Sequence, residues 1–500
     1  MHTDRPELEE LRTRLRTAAD LSAAASVLHW DQATHMPPGG AETRGRQMAV
    51  LGRIAHEHHT HPRIGELLAA LSHLEAEDSV EGALVRRAHR DYAHATRLPA
   101  ELVSEMQQQM AASYVAWARA RPAGDFAAVR PHLERNLELS LRVADHFPEA
   151  EHPADPLIDE SDPGMTSATV RALFDELRRR LVPLVERATA RPTPDDSFLH
   201  APYDRDRQLA FGRRVVERMG YDFDRGRQDE TAHPFMIRLS SGDVRITTRV
   251  RDDDPTEALF STVHEAGHAL YEQGIDPAFD ATPLGRGVSA GVHESQSRLW
   301  ENMVARSRPF WRAFYPELQR TFPERLGEVD LASFHRAINR VARSLVRTDA
   351  DEVTYNLHVM LRFDLEREML EGRLAVADLP DAWNERMARD LGVRPPDHAR
   401  GVLQDVHWFA HPIGGAFQGY TLGNLIAAQL FEAAERALPS LWEDIGHGVF
   451  DGLRGWLAEH VWRHGARFDP ASLVERATGR PLSIEPLLAH LERRHGAPQP

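Results

Sequence analysis

Apolar residues recur at three- and four-residue intervals over most of the chain. "LEELRTRLRTAADLSAAASVLHW" (8–30) and "LFDELRRRLVPLVERAT" (173–189) carry the period of an amphipathic helix. Clean two-residue alternation is scarce. It is confined mainly to "HPFMIRLSSGDVRITTRV" (233–250), where two β-rich pieces flank "SSGD" and read as a hairpin. Pro- and acid-rich stretches at 147–164 and 191–207 read as long loops rather than flexible linkers, and no repeat or low-complexity tract interrupts the chain. The pattern predicts a mainly α protein, one domain over residues 1–500, with one small antiparallel sheet just before the helix that follows.

That helix is the best marked in the chain. In "DPTEALFSTVHEAGHALYEQG" (254–274), Asp254 suits the N-cap and Pro255 the first helical position. Glu257 completes a capping-box-like pattern and Gly274 suits the C-terminal end. It contains H-E-x-x-H, which a chain of this composition shows by chance about one time in ten, so context has to carry the reading. Four residues turn a helix by about 400° and raise it about 6 Å. His264 and His268 therefore share a face and can converge on one ion, with Glu265 beside them as a general base. A third ligand is needed. His-x-x-Gly-x-x-His fails, because Tyr271 and Gly274 occupy the Gly and third-His positions. "GVSAGVHESQSRLWENMV" (287–304), with Ser289 as N-cap of a return helix, offers His293, Glu294 and Glu301. Spacing alone does not choose between Glu294 and His293.

Composition narrows the chemistry. There is no cysteine, which removes disulfides, thiolate metal sites and a Cys nucleophile. All 60 basic side chains are arginine, which removes lysine Schiff bases and a P-loop lysine. A formal charge of −16 argues against nucleic-acid and anionic-membrane partners. No apolar run approaches the about 18 residues of a membrane span, and the charged start of the chain lacks a signal-peptide pattern. A cytoplasmic location is the resulting expectation. The "HEHHTH" cluster at 56–61 reads as a solvated helix end.

Five motifs in order resemble the carboxypeptidase Taq family of metallocarboxypeptidases. They are "HWDQATHMPPGGAETRGRQMAVL" near the N-terminus, "DVRIT" (Asp243, Arg245, Thr247), the "HEAGH" and "HESQS" pair, "VRTDAD" (Arg347, Ala350, Asp351) and "GVLQDVHW" (Gln404, Asp405, His407, Trp408). The resemblance implies a helical, saddle-like fold with a zincin-like site in a deep groove, usually in a homodimer. It implies zinc, or sometimes cobalt, and release of single residues from peptides with a free C-terminal carboxylate. It selects Glu294 as the third ligand, with His264 and His268. Because a guanidinium reads a carboxylate bidentately, it names Arg245 and Arg347 as substrate contacts. The alternative for Arg347 is an internal pair with the flanking Asp349 or Asp351. His407 and Tyr420 are the candidate oxyanion donors, and Trp30 is a packing anchor. "FAHPIGGAFQGYTLGN" (409–424) keeps the family's Y-x-L-G-N end. It places Ala416, Gln418 and Gly419 where Tyr, Pro and Thr are expected. A related endo- or oligopeptidase, and a catalytically impaired peptide-binding homologue, are the competing readings.

Overall fold

The computed structural model describes residues 5–496; the ends of the expected 1–500 domain, residues 1–4 and 497–500, lie outside it. Helices dominate, from Pro6–Thr34 to Glu485–Leu491. One connected set of buried apolar side chains runs from Leu8 to Leu491. The stretch at 147–164 is less irregular than its composition suggested. Asp155–Ser161 is a helix that buries Pro156, Leu157 and Ile158. The "HEHHTH" cluster ends the helix Ala41–His59, and the His61 ring caps the next helix by accepting from the Arg63 N–H.

The expected hairpin is present. Strand β2 (Met236–Ser240) pairs antiparallel with β3 (Asp243–Thr248), with an irregular register between Arg238 and Ser240. The sheet is nevertheless mixed. A further strand, β1 (Gln228–Glu230), runs parallel to β3 on its other side, in the order β1-β3-β2. "QDE" has no strand signature of its own. It is extended because β3 supplies partners along it: Ile246 N–H donates to the Arg227 carbonyl and Thr231 N–H to the Thr248 carbonyl. Val244 and Ile246 are fully buried. Thr248 ties the sheet to the histidine helix, donating to the Ala258 carbonyl and accepting from Thr262 Oγ1 at 3.0 Å.

Three helices meet at the centre: the histidine helix Pro255–Gly274, the glutamate helix Ala290–Arg298 and the tyrosine helix Gln418–Ala437. The first two begin as the sequence indicates. Asp254 accepts from Thr256 N–H and Ser289 from Val292 N–H. Their crossings are too close for side chains. A Cβ on Gly267, within "HEAGH", would lie 2.6 Å from Ser297 Cα and 2.7 Å from the Gln296 carbonyl. A Cβ on Gly423 would lie 2.6 Å from Glu294 Cβ. Alanine improves helix propensity by about 1 kcal/mol over glycine, but forcing backbones apart costs about 1–3 kcal/mol. Gly267→Ala is therefore expected to be less stable to urea than the parent protein. Equal or greater stability would show that the crossing relaxes freely.

Candidate metal centre and a buried arginine site beside it

His264 and His268 turn their Nε2 atoms to one place. These atoms lie 3.6 and 3.4 Å from Glu294 Oε2. One ligand atom from each of the three side chains lies within 4.8 Å of the others, a juxtaposition that among the described residues occurs only here. Ligand atoms about 2.0–2.1 Å from a tetrahedral zinc stand about 3.3 Å apart. The two imidazoles and one carboxylate fit such an ion. His293 is not in this set; it stands behind His268, with its Nδ1 2.7 Å from His268 Nδ1. Glu301 stands behind His264, its Oε2 3.0 Å from His264 Nδ1. The helix passes into wider i→i+5 turns over Leu299–Ala305, which carry Glu301.

Buried charge is matched locally. Arg298 Nε donates to Glu294 Oε1 at 2.7 Å, and Arg298 and Arg306 both reach Glu301. Burial disfavours the charge on Glu294, but Arg298 and the two histidines hold its carboxyl well below the usual range. Burial likewise opposes charge on Glu301, yet Arg298, His264 and Arg306 bring it down to about 2. Glu265 has no such arginine. Burial pushes it up to about 7, Glu294 and Glu301 add to the rise, and His264 only partly offsets it. A carboxyl poised near neutrality is suited to taking and returning a proton. Burial lowers His268 to about 4, which keeps it neutral. On His264 burial acts the same way, but Glu294 and Glu301 outweigh it and raise its pKa.

A second buried cluster adjoins the first. Arg347, 6% exposed, donates from Nη2 to Asp405 Oδ1 at 2.8 Å and from Nη1 to Tyr355 Oη at 2.8 Å. Its partner is therefore Asp405, not the flanking acids. Asp351 instead accepts the backbone N–H groups of Ala342, Val353 and Thr354. Arg362, fully buried, takes the other Asp405 oxygen from Nε at 2.5 Å and Gln404 from Nη2 at 2.7 Å. Two guanidiniums thus share one carboxylate. Burial lowers Arg362 only to about 10, so both stay charged at neutral pH. Glu366, which accepts from Trp408 Nε1, is pushed by burial to about 8 and is neutral there. The contacts leave one positive charge uncompensated. Over it lie the rings of Tyr420 (4.9 Å), Tyr355 and Phe417 (both 5.7 Å). Arg298, the partner of Glu294, stacks 4.4 Å from the Tyr355 ring centre, so Tyr355 joins the two clusters. His407 Nε2 lies 3.0 Å from Tyr420 Oη, and burial lowers His407 to about 3.

A family model described as carboxypeptidase Taq (M32) metallopeptidase matches residues 10–495. The chain belongs to this family. It is 42% identical to thermostable carboxypeptidase 1 of Thermus thermophilus, over 96% of this chain and 97% of that protein. It is also similar to the crystal structure of an M32 carboxypeptidase from Deinococcus radiodurans, at 51% identity and a TM-score of 0.96, covering 98% of this chain and 99% of that one. The carboxypeptidase of Pyrococcus furiosus superposes with a TM-score of 0.96 at 32% identity, over 99% and 100% of the two chains. This M32 chain shares their fold and is a metal-dependent hydrolase acting on peptides.

One candidate of this M32 chain sits differently from the rest. Arg245, on β3, forks onto its neighbour Asp243 with bonds of 2.8 and 2.7 Å from Nε and Nη2. It lies 5.6 Å from the Trp30 ring centre, and Trp30 is buried edge-on to Phe235. Around Gln418 the departure from the family pattern is filled. Gln418 Nε2 donates to Ser161 Oγ, Asp162 Oδ2 and the Gly415 carbonyl. Asp162, 2% exposed, also accepts the Gly291 N–H at 2.7 Å, linking the tyrosine helix to the glutamate helix. A Cβ on Gly415 would lie 2.4 Å from the Leu157 carbonyl, so the glycines admit the helix Asp155–Ser161.

Sequence reasoning missed Arg298, Tyr355, Arg362 and Asp162. Arg298 was within reach, four residues beyond Glu294 on the same helical stripe. The others had no local signal. Because His264 holds its proton more tightly than a free imidazole and a ligand must shed it, metal affinity is expected to rise with pH through neutrality, by up to about tenfold per unit for each proton released. Chelator competition at several pH values measures this, and a flat profile would contradict it.

Proposed function

We propose that this chain is a zinc-dependent carboxypeptidase that releases single residues from free peptide C-termini with broad specificity, acting as a single catalytic domain. One observation carries the reading: the buried, aromatic-lined guanidinium of Arg347, with one positive charge left over, one tyrosine away from the metal-binding set. An endopeptidase has no use for an unmatched buried cation; a terminal carboxylate completes it. Zinc held by His264, His268 and Glu294 would supply Lewis-acid charge to the carbonyl and to the attacking water.

The chain's own residues supply the rest. Arg347 takes the α-carboxylate, which places the last peptide bond at the metal centre. Glu265 accepts the proton of the attacking water and returns it to the leaving nitrogen. His407 Nδ1 is buried and makes no hydrogen bond, its nearest carboxylate oxygen being Asp405 Oδ1 at 3.7 Å. In this reading His407 carries its proton on Nε2 and donates it to Tyr420 Oη, 3.0 Å away. That leaves the phenol hydrogen free to point at the developing oxyanion. Arg245, with Nε and Nη2 on Asp243, keeps Nη1 for a secondary peptide contact. A homodimer, a cytoplasmic location and cobalt as an alternative metal complete the proposal.

Mass spectrometry of a peptide and its C-terminal amide, each with zinc-loaded and chelator-treated protein, tests this directly. Stepwise C-terminal loss is expected only with metal and only from the free acid. Internal cuts in both peptides, or none despite bound zinc, would overturn it. Glu265→Gln is expected to retain zinc while kcat falls about 10²- to 10⁴-fold; near-normal turnover would remove Glu265 as the base. Arg347→Ala is expected to raise KM and lower kcat/KM for free acids by about tenfold to a hundredfold, the worth of a charged hydrogen bond. Unchanged kinetics would remove Arg347 from the site.

A further inference from the structure

The metal-binding reading leaves two groups next to it without a task, the deeply buried Glu272 and the half-buried His293. Glu272 is 3% exposed and lies two helical turns from His264 on the histidine helix. His293 precedes Glu294 on the glutamate helix. They meet: His293 Nε2 is 2.9 Å from Glu272 Oε1. The same oxygen accepts the Gly287 N–H at 2.9 Å, and Arg238 of β2 places Nε 3.2 Å from Oε2. On its other side, His293 Nδ1 is 2.7 Å from His268 Nδ1, and the His293 carbonyl is 3.1 Å from that atom. The ring has little room to leave. A Cβ on Gly287 would lie 2.6 Å from His293 Cδ2, and the Tyr271 ring packs 5.3 Å away.

The hydrogen positions follow from the partners. A carboxylate only accepts, so His293 carries a hydrogen on Nε2. A ligating His268 needs its Nε2 lone pair free, so His293 Nδ1 is the acceptor of the pair. Two nitrogens 2.7 Å apart need one hydrogen between them, and it belongs to His268 Nδ1. His268 Nε2 is left with its lone pair toward Glu294 Oε2. Burial works against charge on Glu272, but His293, the Gly287 N–H and Arg238 keep its carboxyl below the usual range.

We propose that Glu272 and His293 are positioning residues: a carboxylate–imidazole relay that sets the tautomer and ring orientation of His268. The inference rests on the metal reading above. It makes the two metal-facing imidazoles unequal. His264 is backed directly by the Glu301 carboxylate, whereas His268 is backed by a second imidazole that passes on the influence of Glu272. It also gives His293 a task other than that of third ligand. The relay reaches the sheet, because Arg238 contacts both Glu272 and Asp280.

Competition between the full-length protein and a chelator for Zn²⁺ tests the relay without reading activity. Loss of such a supporting partner lowers metal affinity about 10- to 100-fold, and that loss is expected for His293→Phe. His293→Gln is expected to recover most of it, since its amide can donate to Glu272 and its oxygen accept from His268. Glu272→Gln, which keeps the side-chain shape, is expected to lose about tenfold and serves if His293→Phe does not fold. Affinity unchanged in His293→Phe, or in Glu272→Gln, would show that the His293 carbonyl alone orients His268 and would overturn the relay. A parent protein that binds no zinc would instead overturn the metal reading, and the relay with it.

Discussion

The centre of this protein depends on backbone approach without side chains between. Gly267 lets the histidine helix touch the glutamate helix, and Gly423 lets the tyrosine helix lie on Glu294 itself. A Cβ at either point would require one helix to shift. The consequence is geometric. His264, His268 and Glu294 come from two helices, yet one ligand atom of each lies within 4.8 Å of the others, and the helix that carries Tyr420 packs on Glu294. Capping decides where each helix begins, so Asp254 and Ser289 set which residues face the crossing. Asp162 then fastens the starts of the glutamate and tyrosine helices to each other.

Close packing buries charge, and arginine makes that tolerable. Glu272, Glu294 and Glu301 each have a guanidinium or imidazole partner, and Glu265 does not. A planar fork can serve two acceptors at once, as Arg298 does for Glu294 and Glu301. The exceptions are informative. Glu265 lacks such a partner and is held near neutrality by burial. Arg347 and Arg362 lack a second carboxylate and keep a surplus positive charge. Under the proposed function these are the proton acceptor and the anion receptor, and both arise from incomplete pairing in a low-dielectric interior.

The relation between the family motifs and these contacts is uneven. Asp405 and His407 share one motif 58 residues and more beyond Arg347, and the three come together around Tyr420 and Tyr355. The "DVRIT" arginine behaves differently, since Arg245 is tied to its neighbour and to the N-terminal tryptophan. The altered stretch before Tyr420 is not a gap. Small residues there admit the helix Asp155–Ser161, whose end supplies the partners of Gln418.

Local rules made a large part of this legible in the residues alone. A helix records its start in Asp254–Pro255 and its exposed face in a three-to-four-residue period. Four-residue spacing is enough to put His264 and His268 side by side, and alternation around "SSGD" is enough for the hairpin. Those features depend on residues within a few positions of one another. Partner choice across the fold does not. That Arg347 pairs with Asp405 rather than Asp349 or Asp351, that "QDE" becomes a strand and that "DPLIDES" becomes a helix were settled by which surfaces met. So was the placing of Glu294 beside His264 and His268, with His293 behind His268. Adjacent helical residues point about 100° apart, and only the packed neighbour determines which of the two faces the histidines.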